Sequence, residues 1–134
     1  MAEIVHLTSE TVKAIHQEVL RQHGGLDGLR DEGLLHSAVL SPQVTWGGEP
    51  LFSDPVKAAA AYLFYLCKNH PFNDGNKRTA LACCLVVLKA NHLISQPSII
   101  AEKSLAWEQL TIEVAEGKIS REETAIKLQA LLIT

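Results

Sequence analysis

An all-α fold is what this sequence predicts: six helices bundled around one central apolar helix, with a short flap before the third. Two observations carry that expectation. Apolar residues recur at helical spacing along most of the chain. Helix-starting and helix-stopping residues bracket those stretches, while strand patterning is confined to Gln43–Thr45 and Leu93–Ser95.

The first helix is expected to start at Thr8 or Ser9, either of which can cap it. Val12, Ile15, His16, Val19 and Leu20 then fall on one face, and Gly24 and Gly25 stop it. Asp31 is placed to cap a second helix carrying Leu34, Leu35, Ala38 and Val39. Pro42 closes it, and Ser41 to Ser53 is rich in turn residues, with Gly47 and Gly48 suited to a hairpin or flap and Trp46 and Phe52 as its apolar anchors. Asp54 before Pro55 combines a cap with a first-position proline, so a third helix runs to about Asn69. A fourth, from about Asn76 to Asn91, is apolar nearly all round and is expected to be the central one. A fifth covers about Ala101 to Ala115, with Ala106, Leu110 and Val114 in line, and Gly117 ends it. Ser120 and Glu123 match a capping box for the last helix, which buries Ala125, Leu128 and Leu132.

The totals narrow the class. A chain of 134 residues suits a single domain, 1–134, and buries roughly 65–70% of its unfolded surface without help from metals or disulfides. A net charge of -3 offers no basic surplus for nucleic acid, so no direct DNA binding is expected. Cys67, Cys83 and Cys84 lie in apolar stretches without disulfide-framework spacing, which points to reduced, buried thiols. MAEIVHLTSE carries no secretion pattern, and the apolar run Ala80 to Leu88 falls far short of the ~20 residues that span a bilayer. A cytoplasmic protein away from membranes is the expectation.

One stretch stands apart. Asn69 to Ala80, NHPFNDGNKRTA, gathers a histidine, a carboxylate, an amide and two cations at the mouth of the fourth helix. A helix N-terminus leaves about four N–H groups unpaired and carries roughly half a positive charge, so it attracts anions. Gly75 permits close backbone approach to a ligand. Lys77 and Arg78 occupy the first turn, where the dipole disfavours a cation unless an anion is bound; phosphate meets that need, Arg78 binding it through two parallel bonds and Lys77 as a point charge. Asp74 supplies a hard oxygen for Mg²⁺, which commonly binds through a carboxylate and substrate phosphates. His70 is suited to act as a base near neutral pH. Phe72 packs inward to hold the loop.

Each residue alone has a plainer reading. His70 suits a structural role, Asp74 a helix cap, Asn76 a turn, and Lys77 and Arg78 solvent or an acidic partner. Their concentration at one helix start favours chemistry. His16, on an apolar face, reads as a buried, hydrogen-bonded side chain. No zinc spacing, Walker loop or dinucleotide fingerprint occurs.

HPFNDGNKR resembles the signature of the Fic/Doc superfamily, H-P-F-x-[D/E]-G-N-x-R, and GGLDGLRDEGLLHSAV resembles the segment preceding the flap in Doc (death-on-curing) proteins. Helix order and length fit a bare Doc domain. AMP-transferring Fic enzymes carry glycine where this chain has Lys77, and a second arginine where it has Leu81; Pro71 and Gly75 are Fic-like. The resemblance implies a Fic/Doc fold and a toxin that transfers the γ-phosphate of ATP, or another nucleoside triphosphate, to a protein hydroxyl. His70 would be the base, Asp74 the Mg²⁺ ligand, and Gly75, Asn76, Lys77 and Arg78 the phosphate cradle. The target class it implies is a threonine of elongation factor Tu, whose modification arrests translation. Val44, Thr45 and Trp46 would dock the target chain, unless Trp46 is a core anchor. No clean S/T-x-x-x-E lock followed by Gly or Asn occurs: Thr45–Glu49 precedes Pro50, and Ser104–Glu108 precedes Gln109. A separate antitoxin with a disordered tail is therefore implied. The alternatives are AMP or nucleotidyl transfer on the same site, and an inert binding module.

Overall fold

Capping residues set the helices in a computed structural model that describes residues 3–94 and 96–133. Thr8 caps α1 (Ser9–His23) by accepting from the Thr11 N–H at 3.1 Å, and Gly24 ends it at φ 74°. Asp31 caps α2 (Glu32–Leu40) by accepting from Leu34 N–H at 2.9 Å. A 3₁₀ turn over Ser41–Gln43 leads into a two-stranded antiparallel hairpin. Its strands are β1 (Thr45–Trp46) and β2 (Glu49–Pro50), with Thr45 opposite Pro50 and Trp46 opposite Glu49. Gly47 and Gly48 turn it with φ of 59° and 85°, the positive pair a two-residue hairpin requires. Asp54 caps α3 (Pro55–Asn69) by accepting from the Val56 N–H. There follow α4 (Asn76–Ala90), α5 (Ser98–Glu102), α6 (Ser104–Ala115) and α7 (Arg121–Leu132). The last begins with the reciprocal Ser120–Glu123 capping box, a device whose loss typically costs about 1 kcal/mol.

Most of the expected helices stand where the sequence put them, and three details differ. The fifth helix is two, broken at Lys103, whose ammonium instead donates to the carbonyls of Leu131 and Ile133. Ala106 faces outward, and Trp107, Leu110, Thr111 and Val114 form the buried face of α6. Neither strand expectation holds as written. Gln43 belongs to the 3₁₀ turn, and the strand begins at Thr45. Leu93 and Ile94 form no strand, because Leu93 N–H closes back onto Leu88 carbonyl at the exit of α4; Ser95 lies outside the described residues.

The centre of the bundle is the α3–α4 pair rather than α4 alone. α3 packs against α2, α4, α6 and α7, and α4 against α1, α3 and α6. Ala58, Ala59, Ala60 and Ala61 are all completely buried. Four small side chains in succession let neighbours approach α3 from every side. Tyr62 is also fully buried, and its hydroxyl is satisfied by Leu7 N–H at 3.1 Å and by His6 and Gln43, tying the N-terminal segment to α3. Among the described residues no helix is long and apolar enough to cross a membrane.

Candidate active site

The loop joining α3 to α4 turns sharply at His70, which ends α3 in the left-handed conformation (φ 51°, ψ 55°). Gly75, also left-handed at φ 75°, starts α4. Between them Pro71 and Phe72 are buried. Phe72 is stacked on His16 with ring centroids 3.8 Å apart and planes 6° from parallel. His16 is 1% exposed and donates from Nε2 to the Asp74 carbonyl at 2.8 Å. The buried, hydrogen-bonded role read for His16 is thus observed, and its partner is the motif loop itself.

Asn76 is only 5% exposed. Its Oδ1 accepts from Phe72 N–H and its Nδ2 donates to Phe72 carbonyl, both at 2.9 Å. That pair fixes the amide's orientation, and Nδ2 then faces His70 Nδ1 at 3.3 Å, so Nδ1 is the acceptor of this contact. The Asn76 side chain is engaged in shaping the loop; what it presents to an anion is its backbone N–H at the start of α4.

Asp74 is exposed, and each of its carboxylate oxygens accepts one backbone N–H, from Leu26 at 3.0 Å and from Gly75 at 2.8 Å. The Leu26 bond first, then the Gly75 bond, with smaller help from Arg78 and His16, hold the carboxyl below its ordinary range, so it is ionised at neutral pH. Each oxygen keeps a lone pair for a cation. Among the described residues no group of three His, Cys, Asp or Glu side chains is arranged to hold a metal. The donor set therefore suits Mg²⁺ only in company with phosphate oxygens and water.

Lys77 and Arg78 are exposed, and among the described residues neither forms an ion pair. With His70, Asp74, Gly75 and Asn76 they line a cleft of about 390 Å³. α6 adds Glu108, Thr111 and Ile112 to its lining, and α4 adds Leu81. Glu108, Thr111 and Ile112 share a helix face by their i, i+3, i+4 spacing, but nothing local tells which loop that face meets. The structure thus brings together every loop residue expected at the site. Val44, Thr45 and Trp46 are not among the residues lining the cleft. Trp46 is 85% exposed, so it is not a core anchor; Phe52, 6% exposed, fills that role. A larger cavity of about 590 Å³ lies elsewhere; its apolar lining is Leu51, Phe52, Val56, Ala125 and Ile126, and its charged residues are Asp54, which caps α3, Lys57, and Arg121 and Glu122, which pair with each other at 2.8 Å.

These features define an all-helical domain in which a histidine, a carboxylate and two cations converge on the N-terminus of a buried helix. A family model described as Fic/DOC family matches residues 6–88, and the chain belongs to that family, in its Doc type. It is 32% identical over 126 residues to "Protein kinase doc" of Escherichia phage P1, covering 94% of each chain. It is 44% identical over 68 residues to "Toxin Doc" of Mycolicibacterium smegmatis, covering 51% of this chain and 52% of the relative.

Proposed function

We propose that this protein is a Doc-type toxin acting as a protein kinase, transferring the γ-phosphate of ATP or another nucleoside triphosphate to a protein hydroxyl. The observation that carries the reading is the exposed pair of cations, Lys77 and Arg78, in the first turn of α4 beside His70 and Asp74, with no ion pair to either among the described residues. Two cations there oppose the helix dipole at roughly 0.3–1 kcal/mol each, and an oxyanion reverses that penalty. The name of the phage P1 relative supports phosphoryl rather than nucleotidyl transfer.

His70 takes the proton of the acceptor hydroxyl as its oxygen bonds to the γ-phosphorus. The bond from that phosphorus to the bridging oxygen breaks, and the nucleoside diphosphate leaves with the electron pair. Lys77, Arg78 and the N–H groups following Gly75 hold the equatorial oxygens, where positioning and charge supply most of the catalysis. Asp74 would hold Mg²⁺, which when bound neutralises charge on the phosphates. The acceptor we propose is a threonine of elongation factor Tu, the target class the Doc resemblance implies, with arrest of translation as the result. The partner is an antitoxin whose disordered tail folds onto this domain.

The test incubates the protein with Mg²⁺, γ-labelled ATP and a bacterial lysate, beside His70→Ala, Lys77→Ala and Arg78→Ala. One labelled band at the size of elongation factor Tu, lost in all three variants, is expected. Thermal melts of Lys77→Ala and Arg78→Ala should lie at or about 1–4 °C above wild type, because each removes a cation the dipole disfavours. Label from α-labelled nucleotide instead would mean nucleotidyl transfer. No label from either would favour a binding module.

A further inference from the structure

The segment from Gly24 to Arg30 lies along the motif loop as a short antiparallel lace. Leu29 bridges Phe72, Asn73 N–H donates to Gly28 carbonyl at 3.0 Å, and Leu26 N–H reaches Asp74. At its end, Arg30 takes three consecutive carbonyls. Its Nη2 donates to Asn69 at 2.9 Å, its Nε to His70 at 2.7 Å, and its backbone N–H to Pro71 at 2.7 Å.

We propose that the Arg30 guanidinium is a positioning residue that locks the His70 backbone in its left-handed conformation and so sets the direction of the imidazole; this rests on the reading of His70 as the base. A non-glycine residue at φ 51° persists only where its surroundings over-determine it. The His70 side chain makes one long contact, to Asn76, which does not fix a backbone. Turning His70 back to ordinary dihedrals would swing its carbonyl off Arg30 Nε. A planar fork reaches the carbonyls of Asn69 and His70 together, which a lysine ammonium does not reproduce. The guanidinium also sits at the C-terminal end of α3, where a cation complements the dipole. Among the described residues its side chain has no carboxylate partner, so both of its hydrogen bonds serve this turn.

Removing the guanidinium leaves the backbone pairing of residues 28–31 with 71–73 intact, so the fold should survive. The phosphate cradle starts at Gly75 and does not touch Arg30. Loss should therefore fall on the chemical step. In the full chain, Arg30→Ala and Arg30→Lys are expected to lower kcat on the order of 10–100-fold, with KM for ATP within about twofold of wild type. Guanidinium ion added to Arg30→Ala should restore part of the rate, and ethylammonium should not. An unchanged kcat, or a KM rising in step with the loss and no rescue, would overturn the proposal. The ¹³C shifts of the His70 Cα and Cβ give a readout free of activity: they should leave their left-handed values in both variants. If wild type transfers no phosphate, the functional reading falls, and the clamp is then judged on those shifts alone, where unchanged values sink it.

Discussion

Asp74 is the residue where structure and titration meet most directly. Its carboxylate accepts from Leu26 and Gly75 N–H groups, and these bonds favour the charged form. The folded value lies below the unfolded one of about 3.9. The bonds therefore add stability above that pH, and the gain is lost as pH falls through the depressed folded value. Asp74→Asn should lack this term. In urea melts run between neutral pH and pH about 3, the wild-type curve should fall more steeply below pH about 4 than that of Asp74→Asn. Parallel curves would mean that the two N–H bonds do not operate in solution. The same ionised carboxylate is what a divalent cation needs, so one pair of backbone bonds serves both the loop and the proposed site.

At the scale of elements, the interest lies in how the lace from Gly24 to Arg30 meets the motif loop. Gly28 has φ 121°, a region side chains rarely adopt, and a Cβ there would meet the side-chain amide of Asn73. Gly24 has φ 74°, and a Cβ there would meet nothing within 4 Å. Both substitutions to alanine should destabilise, each by about 1–3 kcal/mol, because Gly24 at φ 74° and ψ -178° and Gly28 at φ 121° both lie where a side chain is strained. The Asn73 amide that a new Cβ at position 28 would meet ends an exposed side chain and can swing aside, so backbone strain carries both losses. Urea denaturation of the two variants makes the comparison. A variant as stable as wild type would show that the backbone at that glycine leaves its strained conformation in solution. Helices α1, α2, α3 and α7 are more tolerant, because each carries a side-chain cap of its own.

For the molecule as a whole, the α3–α4 pair is the centre on which the other helices pack. Cys67 on α3 and Cys83 and Cys84 on α4 are buried free thiols. Burial pushes Cys67 up to about 12, against a small opposing pull from Lys77. It pushes Cys83 and Cys84 up as well, Cys84 further through its two neighbours. Thiolate, the reactive form, is thereby suppressed. A thiol reagent at pH about 8 should leave native protein unlabelled and modify all three cysteines in urea, at a rate set by global unfolding. Rapid labelling of Cys67 alone would indicate that the C-terminal end of α3 opens locally, beneath the proposed base.

Much of this was readable from the chain. Thr8, Asp31, Asp54 and Ser120 mark helix starts because capping is a local bond between near neighbours. The motif loop was readable because its residues are contiguous, and a helix N-terminus presents charge whatever surrounds it. What needed the folded chain was everything set by partners far apart. The four alanines of α3 look weakly apolar in sequence, and only neighbours on every side make them a centre. Leu110 and Val114 keep the inward face expected of them, but it is Trp107, three residues before Leu110, rather than Ala106 that packing turns inward with them. Arg30 stands 40 residues before His70, and His16 stands 58 before Asp74. Composition and periodicity record preferences of short segments, whereas the packing of segments distant in sequence chooses which carbonyl a guanidinium meets.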